Sequence, residues 1–289
     1  MRVRAPGKVV LLGEYAVLDG APALVAAVDS GVQCTVTAQT ELEVCTPGDS
    51  RFVRAALLAI NAPAARYQFK DWNPLHLATK PGLGGSAAAT VAACMAGLYA
   101  RDADCDAVQA IATEVHRRVQ GSGSGIDIAA SFLGGVQRFQ DGRASRVAKV
   151  KPVVIWSGQS AATGPRVKRY RAWATKERAI FCGRSGELLD QWQDDPVSAL
   201  RAGHRLLSHM AKAAGIDWTT PAHDWLTDTA VDCGGACKPS GAGGGDIAVA
   251  LFPDSSAEAA FLRRVSKRGL THLPLSLAGP ASVTGYPHT

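Results

Sequence analysis

Three glycine-bearing segments contain the residues that are best suited to chemistry in this chain. They span residues 81–88, 121–127 and 238–246, and Ser, Lys and Asp are embedded among their glycines. Small residues let a backbone approach a ligand closely, and the first segment leads directly into an alanine-rich helical pattern. The N–H groups that begin a helix, together with the positive end of its dipole, form an anion site. The three segments therefore predict a protein that binds phosphates.

Several common nucleotide and catalytic motifs are absent from the sequence. No G-x-x-x-x-G-K-[ST] motif occurs, which excludes a P-loop enzyme, and no G-x-G-x-x-G motif supports a Rossmann dinucleotide site. The H-E-x-x-H zinc motif and the G-x-S-x-G nucleophile elbow are also missing. One glycine segment alone could be an ordinary turn that needs positive φ angles, whereas three together favour ligand binding.

The composition is that of a globular protein with an excess of positive charge. Of the 289 residues, 47% are hydrophobic and 19% are charged, and the formal net charge is +6. Such a charge attracts anionic partners. Aromatic residues are only 6%, and no basic run is interleaved with Tyr or Phe. The sequence therefore favours a small phosphorylated substrate over nucleic acid.

Cysteine usage and hydropathy indicate the compartment. The seven cysteines are scattered and odd in number, so they do not predict a disulfide framework. No stretch approaches 18 apolar residues, and no membrane span is expected. We expect a protein of the reducing cytoplasm. The sequence leaves a monomer and a homodimer open.

The elements that must position the glycine segments can be read from periodicity. The sequence pattern changes near residue 150, where a β-rich run leads into a basic stretch. This change predicts two domains, 1–150 and 151–289. The segment 247–251 is ambiguous between helix and strand. Strands are predicted at 9–12, 23–28 and 32–37, and helices at 49–61, 86–100, 103–119, 127–132, 186–214 and 256–268.

Segments 5–18, 82–88 and 238–246 resemble, in order and spacing, the three motifs of the GHMP kinases. That superfamily includes galactokinase, homoserine kinase, mevalonate kinase and phosphomevalonate kinase. Within it, segments 13–18, 123–130 and 156–161 most resemble the phosphomevalonate kinases. The resemblance implies an α+β fold, with an N-terminal domain like the second domain of ribosomal protein S5. It also implies a ferredoxin-like C-terminal domain and an active site in the cleft between the two.

The resemblance also implies a role for individual residues. Lys8 and Asp127 would lie near the acceptor oxygen as the catalytic pair, and Ser86 and Glu114 would bind Mg²⁺. A helix N-cap remains an alternative interpretation of Asp127, and a solvated surface residue one of Glu114. The residues implied to hold ATP are Gly82, Leu83, Gly84, Gly85, Ser86 and Ala87, and those implied to contact the acceptor are Tyr15, Ser240, Gly241 and Ala242.

The implied activity is an ATP- and Mg²⁺-dependent transfer of a phosphoryl group to 5-phosphomevalonate, which gives 5-diphosphomevalonate. Mevalonate kinase or another GHMP small-molecule kinase is the nearest alternative. A catalytically inactive metabolite-binding regulator is the alternative of another class, because Gly85 stands where the family motif has a serine. A basic cluster, Arg166, Lys168, Arg169 and Arg171, is a second candidate source of positive charge for an anionic acceptor.

Overall fold

The computed structural model describes residues 1–77, 79–101, 107–148 and 150–285. The strands are β1 Arg2–Leu12, β2 Ala23–Ala38, β3 Glu43–Cys45, β4 Ala65–Trp72, β5 Val136–Gln140, β6 Arg143–Arg146, β7 Val153–Trp156, β8 Ala236–Pro239, β9 Ile247–Leu251, β10 Thr271–Leu273 and β11 Ser282–Thr284. The helices are α1 Ser50–Ala59, α2 Gly85–Tyr99, α3 Val108–Gln120, α4 Ile126–Leu133, α5 Thr163–Ala172, α6 Thr175–Gln191, α7 Pro196–Ala214, α8 Pro221–Asp232 and α9 Ser255–Lys267.

The first sheet is built around the long strand β2. β1 pairs antiparallel with one of its edges, while β4 and β5 pair with different stretches of the other edge. Helix α2 packs on β1 and β2. Its buried face consists largely of alanines, and small side chains let the helix lie close to the sheet. This packing fixes the start of α2, which carries the first glycine segment, beside the middle of β1.

The second sheet has the strand order β10-β7-β9-β8, with all neighbours antiparallel. Strands and helices alternate along the chain as in a βαββαβ unit, which is the ferredoxin-like arrangement. The ambiguous segment 247–251 forms β9, one of the two inner strands of this sheet. All five of its residues are buried, which explains why periodicity could not distinguish strand from helix.

The predicted boundary near residue 150 falls between β6 of the first sheet and β7 of the second. The end of the chain then returns to the first sheet, because β11 pairs with β1 and Val28 forms a bridge with Leu277. The segment after β10 is therefore shared with the first sheet, which the division at 151–289 did not anticipate. Sequence patterns do not reveal this return, since a three-residue edge strand carries almost no periodicity.

The helices after β7 differ from their predicted extents. The predicted helix 186–214 spans the end of α6 and all of α7. The two helices are separate because Asp195 accepts a hydrogen bond from the Ser198 N–H and Pro196 occupies the first turn. Helices α5 and α8 were not predicted. The predicted helix 103–119 begins outside the described residues and continues as α3. No helix in the described ranges is long and apolar enough to cross a membrane.

Candidate active site

Lys8 and Asp127 face each other across the junction of β1 and α4. The Lys8 Nζ atom lies 3.3 Å from Asp127 Oδ1, and the side chains are 11% and 32% exposed. Lys8 is fixed from the other side as well, because its backbone N–H donates to the Leu83 carbonyl at 2.8 Å. Asp127 lies in the first turn of α4, where the helix dipole favours a carboxylate. The structure thus brings together two residues that are 119 positions apart in the sequence.

The loop before α2 presents its backbone to the space beside this pair. Gly82 and Gly84 both have positive φ angles, +70° and +75°. Gly84 is the N-cap of α2, and no side chain caps the helix start. A Cβ atom on Gly84 would lie 2.9 Å from Lys8 Cγ, and one on Gly82 would lie 2.5 Å from Asp246 Oδ2. The loop therefore passes directly between a lysine and a carboxylate, and only glycine fits at these two positions.

We expect Gly84→Ala to disturb both stability and activity. A left-handed backbone costs a residue with a Cβ about 1–2 kcal/mol, and the new methyl group would displace the Lys8 side chain. Urea denaturation should show the loss of stability. Gly85→Ala is the matched control for stability, because a Cβ there meets nothing within 4 Å. Equal midpoints for the two variants would contradict this account.

Two cavities flank the start of α2. One, of about 580 Å³, lies toward β4 and α1 and is lined by residues that include Phe52, Phe69 and Leu75. The other, of about 700 Å³, is lined by Lys8, Asp127 and the second glycine segment. Gly85 and Ser86 line both. The first turn of α2 therefore separates two chambers, and a group held there is reachable from either side.

A buried ion pair joins segment 5–18 to the third glycine segment, 238–246. Lys238 on β8 donates to Glu14, which follows β1, and also to the Pro239 carbonyl. The two side chains are 0% and 2% exposed. Burial lowers the pKa of Lys238 from its ordinary value, and the Glu14 carboxylate opposes this shift. The pair connects the end of a strand in the first sheet to an edge strand of the second.

Further contacts strengthen this junction and change the interpretation of Ser240. Ser240 Oγ accepts from the Val10 N–H at 2.9 Å and donates to the Val10 carbonyl at 3.0 Å. Because its hydroxyl is buried and its proton is donated to the Val10 carbonyl, Ser240 joins the two sheets, and it is not among the residues that line the cavity. The expectation that Ser240 contacts the acceptor is corrected on this ground. The sequence could not show it, since Val10 is 230 residues away.

Gly241 and Ala242 of the third motif line the second cavity. The Gly241 N–H donates to Glu14 Oε1 at 3.4 Å, so this amide already has a protein partner. The Ala242 carbonyl accepts the Tyr15 hydroxyl at 2.6 Å. Tyr15 has φ +61°, an unfavourable angle for a bulky residue, and its ring packs 5.2 Å from that of Tyr170. Burial raises the pKa of the Tyr15 phenol, which therefore stays protonated and able to donate.

Glu114 does not lie in the site. Its carboxylate is exposed and pairs with Arg117 Nη2 at 2.7 Å and with Arg118 at 3.5 Å, and these contacts lower its pKa. The expectation that Glu114 binds Mg²⁺ is therefore corrected. Glu114 lies on the solvent face of α3, whereas the face toward the cavity carries His116.

His116 is a site residue that the sequence reasoning missed. It is 5% exposed, lines the second cavity, and its Nε2 atom lies 3.0 Å from Ser86 Oγ. Burial lowers its pKa, Asp127 acts against that shift, and Lys8 adds to it. One signal was present in the sequence: the spacing of the apolar residues Ala112 and Val115 places residue 116 on their side of a helix, and the structure shows that side buried. A polar residue on a buried face indicates a specific partner.

Asp246 and Arg166 also lie near the site. Asp246 lines the second cavity and accepts a hydrogen bond from the Ala161 N–H at 3.3 Å, and partial burial raises its pKa. The Arg166 guanidinium donates to the Asp217 and Ala162 carbonyls. Arg169 donates to the Gly215 carbonyl. Arg166 and Arg169 of the predicted basic cluster therefore donate to backbone carbonyls and stabilise the chain next to α5.

Comparison with known proteins gives the family. A model described as the GHMP kinases N terminal domain matches residues 72–135, and the GHMP kinases C terminal model matches residues 199–270. The chain belongs to the GHMP kinase superfamily. Members of this family are phosphotransferases that use ATP, and the predicted α+β fold with two domains is confirmed.

Individual relatives cover nearly the whole of this GHMP kinase. A phosphomevalonate kinase from Streptomyces sp. (strain CL190) is 28% identical over 95% of this chain and 96% of its own length. A mevalonate kinase from Archaeoglobus fulgidus is also 28% identical, over 93% of this chain and 99% of its own. A solved structure of Streptococcus pneumoniae phosphomevalonate kinase, in complex with phosphomevalonate and AMPPNP, has a TM-score of 0.81 at 18% identity, over 96% of this chain and 100% of its own.

Proposed function

We propose that this GHMP kinase transfers the γ-phosphoryl group of ATP to 5-phosphomevalonate. The observation that carries the proposal is the Lys8–Asp127 pair, which faces a cavity of about 700 Å³ beside the uncapped start of α2. Phosphoryl transfer needs little covalent help from a protein, because positioning and charge stabilisation dominate its catalysis. An uncapped helix start next to a lysine supplies both.

The two cavities suggest how the substrates are arranged. The nucleotide would occupy the chamber toward β4 and α1, with its phosphates at the backbone N–H groups of residues 82–87. The acceptor would occupy the other chamber, beside Lys8 and Asp127. An acceptor phosphate oxygen forms a bond to the γ-phosphorus while the bond from that phosphorus to the β–γ bridging oxygen breaks. The products are ADP and 5-diphosphomevalonate.

The residues at the start of α2 fit a magnesium ion. Ser86 Oγ and the Asp127 carboxylate both line the second cavity, and Mg²⁺ typically takes few protein ligands besides phosphate oxygens and water. Within the described ranges, no group of three His, Cys, Asp or Glu side chains forms a closed metal cage. When bound, Mg²⁺ supplies positive charge to the phosphate oxygens. Lys8 and the loop amides hold the phosphates in line with the acceptor.

The acceptor is the finer part of the proposal. A phosphate monoester is already an anion at neutral pH, so it needs no base but does need positive charge and hydrogen-bond donors. Ser122 and Ser124 line the acceptor chamber and offer hydroxyl donors. Mevalonate is the second candidate, since the mevalonate kinase relative is as similar in identity. The intact Lys8–Asp127 pair argues against an inactive regulator.

A coupled assay of ADP release across mevalonate, 5-phosphomevalonate, homoserine and galactose tests this function. We expect the highest kcat/KM for 5-phosphomevalonate. A higher kcat/KM for mevalonate would show that the proposed acceptor is wrong, while the protein would still be a kinase. Calorimetric binding of a metabolite without any ADP release would instead favour the inactive regulator.

Asp127→Asn is expected to lower kcat by about 100-fold, the low end of the usual range for a general base. With an anionic acceptor the carboxylate is needed mainly to hold Lys8 in place, since the nucleophile has no proton to lose. The pH–rate profile of the variant is the second readout. A loss of 10,000-fold or more, together with loss of the acidic limb, would indicate that the acceptor is a hydroxyl.

A further inference from the structure

Tyr15 has a backbone conformation that a bulky residue rarely adopts. Its φ and ψ angles are +61° and −51°, and the Ala16 N–H donates to the Glu14 carbonyl at 2.7 Å across it. These features define a γ-turn with positive φ, which is a rare and strained turn. Such strain persists only where the surrounding contacts hold it, and it clusters at functional sites. The contacts of the Tyr15 side chain therefore indicate its role.

That side chain contacts two parts of the wall of the acceptor chamber. The hydroxyl donates to the Ala242 carbonyl at 2.6 Å, and the direction of this bond is fixed because a carbonyl oxygen can only accept. The ring lies 5.2 Å from the ring of Tyr170 on α5, the helix whose residues Gly164 and Val167 line the chamber. Tyr15 is only 4% exposed, so most of its surface is in contact with these neighbours.

The turn 240–246, between β8 and β9, depends on such contacts for its position. Four of its seven residues are glycines, which restrict the backbone least. Its ends are fixed, because Ser240 bonds to β1 and the Gly244 N–H donates to a backbone carbonyl at 2.6 Å. Between these two ends, the Tyr15 hydroxyl holds the Ala242 carbonyl. The wall that this turn contributes to the chamber is therefore anchored by Tyr15.

We propose that Tyr15 is a positioning residue that sets the distance from the turn 240–246 to the Lys8–Asp127 pair, and thereby determines which acceptor fits. This inference rests on the proposed function. The reacting phosphate lies beside Lys8 and Asp127, so the rest of the acceptor must fit between that pair and the turn. Tyr15 closely follows β1, the strand that carries Lys8, and through its hydroxyl it fixes the turn relative to that strand.

Steady-state kinetics of Tyr15→Phe test the effect on the acceptor. The variant keeps the ring and removes the hydroxyl, and the KM for 5-phosphomevalonate should rise about tenfold, the value of one hydrogen bond. The kcat should change little, because the Lys8–Asp127 pair stays in place. The KM for ATP should also stay unchanged, since Tyr15 does not line the nucleotide chamber. A general loss of structure would affect both substrates.

Hydrogen exchange of the free protein distinguishes positioning from direct contact with the acceptor, and it does not depend on turnover. The amides of 240–246 should exchange about tenfold faster in Tyr15→Phe, because the turn loses one hydrogen bond. Tyr67→Phe is the matched control. The Tyr67 hydroxyl also donates to a backbone carbonyl, that of Pro63 at 3.1 Å, but Tyr67 lines neither cavity. This control should change neither the acceptor KM nor the exchange of the turn.

Unchanged exchange of the turn in Tyr15→Phe would overturn the proposal, and a raised acceptor KM in that case would mean that Tyr15 contacts the acceptor directly. Equal increases in the KM for ATP and for the acceptor would overturn it as well. A parent protein that transfers no phosphoryl group, combined with faster exchange of the turn in the variant, would instead refute the proposed function. Tyr15 would then remain an anchor of the turn without a role in acceptor choice.

Discussion

Replacing Lys8 by Met is expected to lower kcat about 1,000-fold, the upper range for removal of one charged donor from a transition state. The Lys8 ammonium lies 3.3 Å from the Asp127 carboxylate and is only 11% exposed. Without it, that carboxylate would face the phosphates of both substrates with no lysine ammonium beside it. In the proposed reaction two anions must approach each other, so the loss should exceed that of Asp127→Asn.

The Lys8→Met measurement requires steady-state kinetics with 5-phosphomevalonate and a thermal unfolding curve. The melting temperature should change little, because methionine fills a similar volume at the edge of the cavity. Lys212→Met is a suitable control, since Lys212 is exposed near the end of α7 and does not line the site. A turnover within tenfold of the parent protein would remove Lys8 from the catalytic machinery.

Replacing Lys238 by Met is expected to lower the free energy of unfolding by about 3–5 kcal/mol, the usual cost of leaving one partner of a buried ion pair alone. The Glu14 carboxylate would keep the Gly241 N–H as a weak partner. Its Oε2 atom is buried and already has no hydrogen-bond partner in the described part of the chain. A charged carboxylate would then be buried with almost no compensation.

Urea denaturation measures the Lys238→Met effect, and a second variant isolates its cause. Lys238→Met combined with Glu14→Leu removes both charges and should recover most of the lost stability. Lys267→Met, at the exposed end of α9, is the control for loss of a lysine and should lie within about 0.5 kcal/mol of the parent protein. If the double variant is no more stable than the single one, the unpaired charge is not the cause.

The Lys238–Glu14 pair also shows why the cavity has a defined shape. Together with Ser240 on Val10 and Tyr15 on Ala242, it holds the third glycine segment against the end of β1. Lys8 lies on that same strand. The junction between the two sheets and the Lys8–Asp127 pair are therefore connected through β1. A variant that weakens the junction should also reduce activity.

The sequence by itself determined the local chemistry of this protein. The glycines of the three segments and the alanine-rich helical pattern after the first are local properties of the sequence, so a phosphate loop at 82–87 could be predicted. The family resemblance then singled out Lys8 and Asp127, which the structure brings within 3.3 Å of each other. The same resemblance implied the α+β class.

Only the tertiary structure decided which polar side chains face the cavity. Helical periodicity assigns Glu114 and His116 to different faces of α3, but it does not say that the buried face meets Ser86. Ser240, Lys238 and Glu14 find their partners 224 to 230 residues away, and the last strand returns to β1. Such contacts are set by how the two sheets pack, and packing depends on the whole chain at once, so no local pattern encodes them.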